Sequence, residues 1–175
     1  FGKTLALRGA TTLGDTVVLA LTATQPRYLR GIVYDRYTGQ GWLAPELGSD
    51  QMLPNDPRLS AIGTLLLREE VTTTIKVLQP RGMTVMAPAQ PLRISLPSTA
   101  EYESAGNLGE SGAAENTTVD VSVLHSALML CRGQQYVAIS SVSRADIKSL
   151  RAAGTEYPPW VKQRYLAWPR TVPGR

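Results

Sequence analysis

Val71-Thr72-Thr73-Thr74-Ile75-Lys76-Val77 places Val71, Ile75 and Val77 at even spacing. Successive side chains of an extended chain point to opposite faces, so these three share one face and Thr72, Thr74 and Lys76 share the other. β-Branched residues dominate the stretch and suit a pleated, half-buried surface. It reads as one strand of an antiparallel sheet with a single buried face.

The same period of two recurs on both sides. Leu92, Ile94 and Leu96 share a face, as do Val119, Val121 and Val123, and Val17, Leu19, Leu21 and Ala23 alternate with Thr-rich positions after Gly14-Asp15. Breakers separate these runs. Residues 44–63 hold Pro45, Gly48, Pro54, Pro57 and Gly63 and read as a long loop. Residues 97–118 hold Pro97 and three glycines without usable periodicity, and read as a mobile excursion. Arg132-Gly133-Gln134 reads as a hairpin turn between Ala127–Cys131 and Gln135–Val142. The expected fold is mainly β: an antiparallel β-sandwich-like domain over residues 1–142. An immunoglobulin-like arrangement is one form of it, and a partly open barrel is the alternative.

Beyond residue 142 the pattern changes to helical. Ser143-Arg144-Ala145-Asp146 resembles a capping box, Ile147 and Leu150 follow at helical spacing, and Gly154 supplies a stop. Pro158 and Pro159 suit the first turn of a second helix, with Val161 and Tyr165 four apart and Pro169 and Pro173 ending it. Residues 143–175 therefore form two short helices and a linker.

The chain has 175 residues, a hydrophobic fraction of 43% and a net charge of +4, enough apolar material for one core. Residues 144–175 carry seven basic and two acidic side chains, so this segment is +5 and the remainder −1. The basic residues are spread out and lack an interleaved stacking platform, which argues against nucleic acid. No run of about 18 apolar residues is present. The chain opens on Phe1 without a signal pattern, and both ends read as cut from a longer polypeptide.

Chemistry-bearing residues are few. The single histidine, His125, continues the Val119-Val121-Val123 face and reads as a histidine at the edge of the core. The single cysteine, Cys131, lies six residues further on, about 20 Å away if the strand continues, and reads as buried and inert. A nucleophile and its base need hydrogen-bond reach. One His and one Cys cannot close a soft-ligand metal site. Glu69 and Glu70 point to opposite faces of a strand and make a poor acid/base pair. Gly39-Gln40-Gly41 lacks the third glycine and the following helix of a phosphate loop. Asn116-Thr117-Thr118 matches a glycosylation sequon at a length expected by chance. No catalytic, metal or cofactor residue is assigned, and no cofactor is expected.

The most distinctive stretch runs from Tyr28 to Trp42: Tyr28-Leu29-Arg30-Gly31-Ile32-Val33-Tyr34-Asp35-Arg36-Tyr37-Thr38-Gly39-Gln40-Gly41-Trp42. It reads as a strand, a glycine-bearing turn and a return on Trp42. One use of such a hairpin is aromatic packing. The other is a binding surface for a cell-wall glycan, a peptide or a partner protein, built on Tyr34, Tyr37 and Trp42 with Arg30, Asp35 and Arg36 beside them.

This stretch resembles the extracytoplasmic region of bacterial transglutaminase-like membrane proteins of the TgpA type, in its Tyr28, Arg30, Gly31, Tyr34, Asp35, Tyr37, Gly39, Gly41 and Trp42. A second resemblance runs from Gly133-Gln134-Gln135-Tyr136 through Leu150-Arg151-Ala152-Ala153-Gly154 to Tyr165-Leu166-Ala167-Trp168-Pro169. Trp168 departs from the smaller apolar residue the family often has there. Residues 44–118 add little.

The resemblance implies an accessory domain tethered at the extracytoplasmic face of a bacterial membrane by segments outside this chain. It also implies a following transglutaminase-like core as partner, with a Cys nucleophile, a His base and an Asp orienter in that order. Here His125 precedes Cys131, so no catalytic residue carries over. The expectation is a non-catalytic module that positions that core.

Overall fold

The computed structural model describes residues 3–6, 14–45, 47–60, 66–80, 82–105, 118–157 and 159–166. The chain is mainly β. Among the described residues, ten strands, β1 (Thr4–Ala6), β2 (Leu19–Thr22), β3 (Arg36–Tyr37), β4 (Gly41–Leu43), β5 (Gly48–Met52), β6 (Arg68–Val77), β7 (Pro91–Ile94), β8 (Ser98–Ala105), β9 (Thr118–Ser126) and β10 (Gln135–Ser143), precede two short helices, α1 (Ile147–Ala152) and α2 (Pro159–Tyr165). The strands pair antiparallel in three sheets, ordered β2-β6-β10-β7, β5-β8-β9 and β1-β4-β3.

The two larger sheets share one buried cluster, a sandwich-like arrangement. Ile75, Val77, Ile94, Tyr136 and Ala138 come from the first, and Met52, Ala100, Val121 and Leu124 from the second. Burying a side chain such as Ile75 or Ile94 contributes about 1.5–3 kcal/mol. The alternation in β6 is as expected: Val71 is half-buried, Thr73, Ile75 and Val77 are buried, and Thr72 and Lys76 face out. In β2, Leu19 packs on the core while Leu21 is exposed, as is Val17 ahead of the strand.

Tyr136 ties the layers together. Its ring is buried, and its hydroxyl both donates to Met86 O (2.8 Å) and accepts from Met86 N (3.1 Å). Residues 83–87 in turn bond the outer edge of β9, through Val85 N to Leu124 O (2.8 Å) and Ser126 N to Met83 O (2.7 Å). One phenol thus links a central strand of one sheet to the border of the other.

Several expectations need correction. Residues 44–63 are not one long loop, because they hold β5 and a single 3-10 turn at Pro57–Ser60. β5 was hidden because four of its five residues are exposed and polar or glycine, with only Met52 buried. Asp56 closes the connection, accepting from Leu53 N and Arg58 N and pairing with the Arg58 guanidinium at 2.8 Å. These bonds, the Arg58 side chain foremost, hold its carboxyl well below the usual range.

Residues 97–118 are not one excursion either. β8 occupies 98–105, β9 begins at Thr118, and residues 106–117 lie outside the described residues, with Asn116 and Thr117 of the sequon among them. The inward positions of β8 include Ser98 and Ala100, so its alternation is one of size rather than hydropathy.

The turn at 131–134 exists, with Gly133 at φ +85° and Gln134 N bonded to Cys131 O. It does not close a hairpin, because residues 127–131 are not a strand and β9 and β10 belong to different sheets. The turn instead caps β6, with Gly133 N on Val77 O (2.7 Å) and Val77 N on Gln134 O (2.9 Å).

The first helix is capped three residues later than expected. β10 runs to Ser143, and Asp146 accepts from Ser149 N at 2.7 Å. Gly154, at φ +73°, follows the end of α1 in the left-handed conformation that favours glycine. Pro159 opens α2, while Pro158, Pro169 and Pro173 lie outside the described residues.

Burial pushes the Tyr136 hydroxyl up from 10.0 to about 12, against the opposing Met86 bond. The folded chain therefore holds this proton more tightly than the unfolded chain. Its contribution is complete below pH 10 and is lost as pH rises through the folded value. Tyr136→Phe should lower the urea-measured stability by about 1–3 kcal/mol at neutral pH by leaving Met86 without its partner. The gap to wild type should narrow between pH 10.0 and about 12. A neutral-pH gap near zero would show that the phenol does not tie the layers.

Candidate functional site: the Tyr37–Trp42 hairpin

Strands β3 and β4 form the expected hairpin, shorter than the sequence pattern suggests. Tyr37 and Trp42 sit opposite each other across Thr38-Gly39-Gln40-Gly41. Thr38 closes the loop twice, its N and its Oγ1 both donating to Gly41 O at 2.9 and 3.1 Å. Gly39 takes φ +85°, and the Tyr37 hydroxyl donates to its carbonyl at 3.2 Å. Gly41 has a different reason: a Cβ there would meet Leu5 O at 2.5 Å, because β1 lies across β4.

The structure brings two of the three expected aromatics together. The Tyr37 and Trp42 rings lie 5.1 Å apart at 44°, a tilted pair of the kind worth about 0.5–1.5 kcal/mol beyond burial. Trp42 stays 37% exposed and Tyr28 is almost fully exposed. Tyr34 is half-buried on the segment leading into β3.

The polar members of the stretch have structural roles that the sequence did not announce. Arg30 reaches inward, donating to Val121 O (2.8 Å) and Gln90 Oε1 (3.2 Å). Burial lowers the pKa of its guanidinium, with the nearby Asp120 opposing. Arg30 N and O both bond Ala87, and Val33 N donates to Ser122 O at 3.0 Å. Arg27 pairs with Glu69 at 2.9 Å. Residues 27–33 are therefore laced to both larger sheets without being a strand.

The partner surface they use is a β-bulge. In the β8–β9 pair Glu101 faces Val123 and Tyr102 faces Val121, so Ser122 is one residue too many. An extra residue reverses which face the following side chains occupy. Val121 and Leu124 lie in the core on one side of the bulge, while Val123 and His125 take the opposite face. His125 thus does not continue the Val121 face, which corrects the sequence expectation. It lies half-buried beside Thr99, its Nε2 4.0 Å from Glu101 Oε1. The signal for that pair is absent from local spacing, because Glu101 and His125 belong to different strands.

Cys131 is also placed differently from the expectation. It is exposed, in the turn before β10, with Sγ 3.6 Å from Met129 O. The reason is that β9 ends at Ser126 and residues 127–129 run over the surface. Glu69 and Glu70 are consecutive on β6 and both exposed. Among the described residues, no group of three His, Cys, Asp or Glu side chains could hold a metal ion, and no helix is long and apolar enough to cross a membrane.

The chemistry open to the hairpin is contact rather than bond-making. A half-exposed indole braced by a phenol offers a flat, rigid face to an apolar or sugar surface. Comparison of the chain with protein-family models, with curated proteins and with solved structures gives no match.

Proposed function

We propose that this chain is a non-catalytic accessory module of a membrane-anchored transglutaminase-like protein, held at the extracytoplasmic face of a bacterial membrane. In this reading it positions a Cys-His-Asp core that follows it in the polypeptide. The observation that carries the reading is the surface of the C-terminal helices. α1 contributes no buried residue, and Ile147 and Leu150 are 69% and 63% exposed. Tyr157 and Leu166 are exposed as well. Apolar side chains at helical spacing that this domain does not cover mark a face made for another body.

The helices are nevertheless tethered. The Tyr165 hydroxyl bonds Asp120 on β9, and Arg144 N donates to Leu67 O at 2.9 Å. A helical run fixed at both ends that leaves Ile147 and Leu150 uncovered suits a docking connection between modules. The resemblance of Tyr28–Trp42 to the TgpA-type region supports the same reading. In the structure, the Arg and third Gly of that motif serve packing: Arg30 anchors the bulge, and Gly41 admits β1.

Replacing both helix residues, Ile147→Ser with Leu150→Ser, tests this. The isolated chain should keep its urea midpoint within about 0.5 kcal/mol of stability, as surface changes do. The parent protein should become more sensitive to proteolysis just after α2. Unchanged cleavage in the parent, or a destabilised isolated chain, contradicts the reading. So does a native polypeptide with no Cys-His-Asp core after this domain.

The exposure of Trp42 favours a second reading, in which the hairpin grips a cell-wall glycan, a peptide or a partner protein. With Trp160 and Trp168 replaced by Phe, the emission of Trp42 should then change saturably on adding soluble cell-wall fragments. A flat titration would remove the glycan and peptide forms of that reading.

A further inference from the structure

Exposed apolar side chains gather at the end of the sandwich away from the helices. Leu53 and Leu128 are each 73% exposed, Met129 67% and Met83 42%. Strand register brings them together. Met52, Ser98 and Ser126 stand side by side on β5, β8 and β9, so Leu53 and Ala127 each lie one residue past the same end of that sheet. Ala127 N bonds Pro97 O there, and Ser126 N bonds Met83 O. The turn at 131–134, which caps β6, closes the same end of the other large sheet. α1 and α2 lie at the far end: β10 leaves the turn at Gln135 and reaches α1 beyond Ser143, and Tyr165 bonds Asp120 near the start of β9.

We infer that these turns form a contact surface for a lipid bilayer, with the leucine and methionine side chains entering the boundary between head groups and acyl chains. The backbone of the tips is already satisfied from within. Leu53 N donates to Asp56, Pro54 has no N–H, Asn55 N donates to Ile94 O and Asp56 N to Leu53 O. Cys131 N donates to the Gln134 side chain, Gly133 N to Val77 O and Gln134 N to Cys131 O. Amides paired inside the chain leave water at little cost, which a membrane boundary demands.

The charge agrees. Residues 53–56, 78–83 and 127–134 hold one carboxylate, Asp56, and Arg58 occupies it, whereas Arg132 in the turn is exposed. A cation beside apolar tips is drawn to anionic head groups. A folded partner fits less well. These residues include no Trp or Tyr, the anchors typical of protein interfaces, and the apolar side chains stand on separate turns. A fluid layer accepts separate points that a rigid surface would have to match with pockets. The inference goes beyond the helix-docking reading and uses none of its residues, so either can fail alone.

Cys131, the single cysteine, is exposed within this surface and takes a thiol-directed, polarity-sensitive fluorophore on the whole chain. Titration with phosphatidylcholine vesicles containing phosphatidylglycerol should shift its emission saturably to the blue. The same label at Lys148→Cys on α1, with Cys131→Ser, should keep its emission while the chain co-sediments with the vesicles. Leu128→Ser with Met129→Ser should weaken co-sedimentation by about tenfold at an unchanged urea midpoint. Arg132→Gln should weaken it by about fivefold on the anionic vesicles and leave binding to pure phosphatidylcholine unchanged. Should the double variant fail to fold, the two label positions still decide. Absence of co-sedimentation overturns the inference, as does an emission shift at α1 in place of Cys131. A dimer in sedimentation velocity that the Leu128 and Met129 changes dissolve would assign the surface to a second copy and overturn it too.

Discussion

Ser122 is one residue more than β8 can pair, and much of the outer architecture follows from where that surplus is placed. The bulge interrupts the ladder between Val121 and Val123, so a carbonyl of β9 needs a partner from elsewhere. Arg30 meets Val121 O, and Val33 N meets Ser122 O. Residues 30–33 are thereby fixed against β9, and the Tyr37–Trp42 hairpin emerges from a segment already anchored. The same reversal of faces turns His125 toward Glu101 instead of the core. A bulge that re-aims side chains at a sheet edge is a recurrent device.

The inner half of the structure depends on a different contact. Tyr136 sits on β10, in the middle of its sheet, yet its hydroxyl engages both polar groups of Met86 on the segment bordering β9. Its ring fills the core while its polar end finds a partner, the usual solution for a buried tyrosine. With residues 30–33 and 83–87 covering it, β9 presents little open edge to pair with another chain. Among the described residues, Trp42 of the hairpin and Ile147 and Leu150 of α1 are exposed apolar side chains open to a partner.

The strands legible in the sequence were those whose inward positions hold large apolar residues. β6, β7 and most of β9 fall where Val, Ile and Leu recur at a period of two, while β10, whose inward positions include Ala138 and Ser140, was marked by the turn that precedes it. β8 escaped because its core positions include Ser98 and Ala100, and β5 because a mostly exposed edge strand has no apolar face to display. The helix start shifted because Ser143 and Asp146 are both competent caps, and only the length of β10 decides between them. At the candidate site the aromatic pair was legible from its turn glycines. The anchoring role of Arg30 and the meeting of Glu101 with His125 were not, because both depend on register across strands distant in sequence. A single bulge changes that register without leaving a local sign.

The outer architecture depends most on residues 30–33 being hydrogen-bonded to the bulge, and Val33 reports this directly. It belongs to no strand, and its amide has one described partner, the Ser122 carbonyl at 3.0 Å. Amide hydrogen exchange followed by NMR should therefore find Val33 protected to the same degree as the paired amides of β9. Exchange of Val33 at the rate of an open loop, with β9 still protected, would contradict the bulge-anchored arrangement.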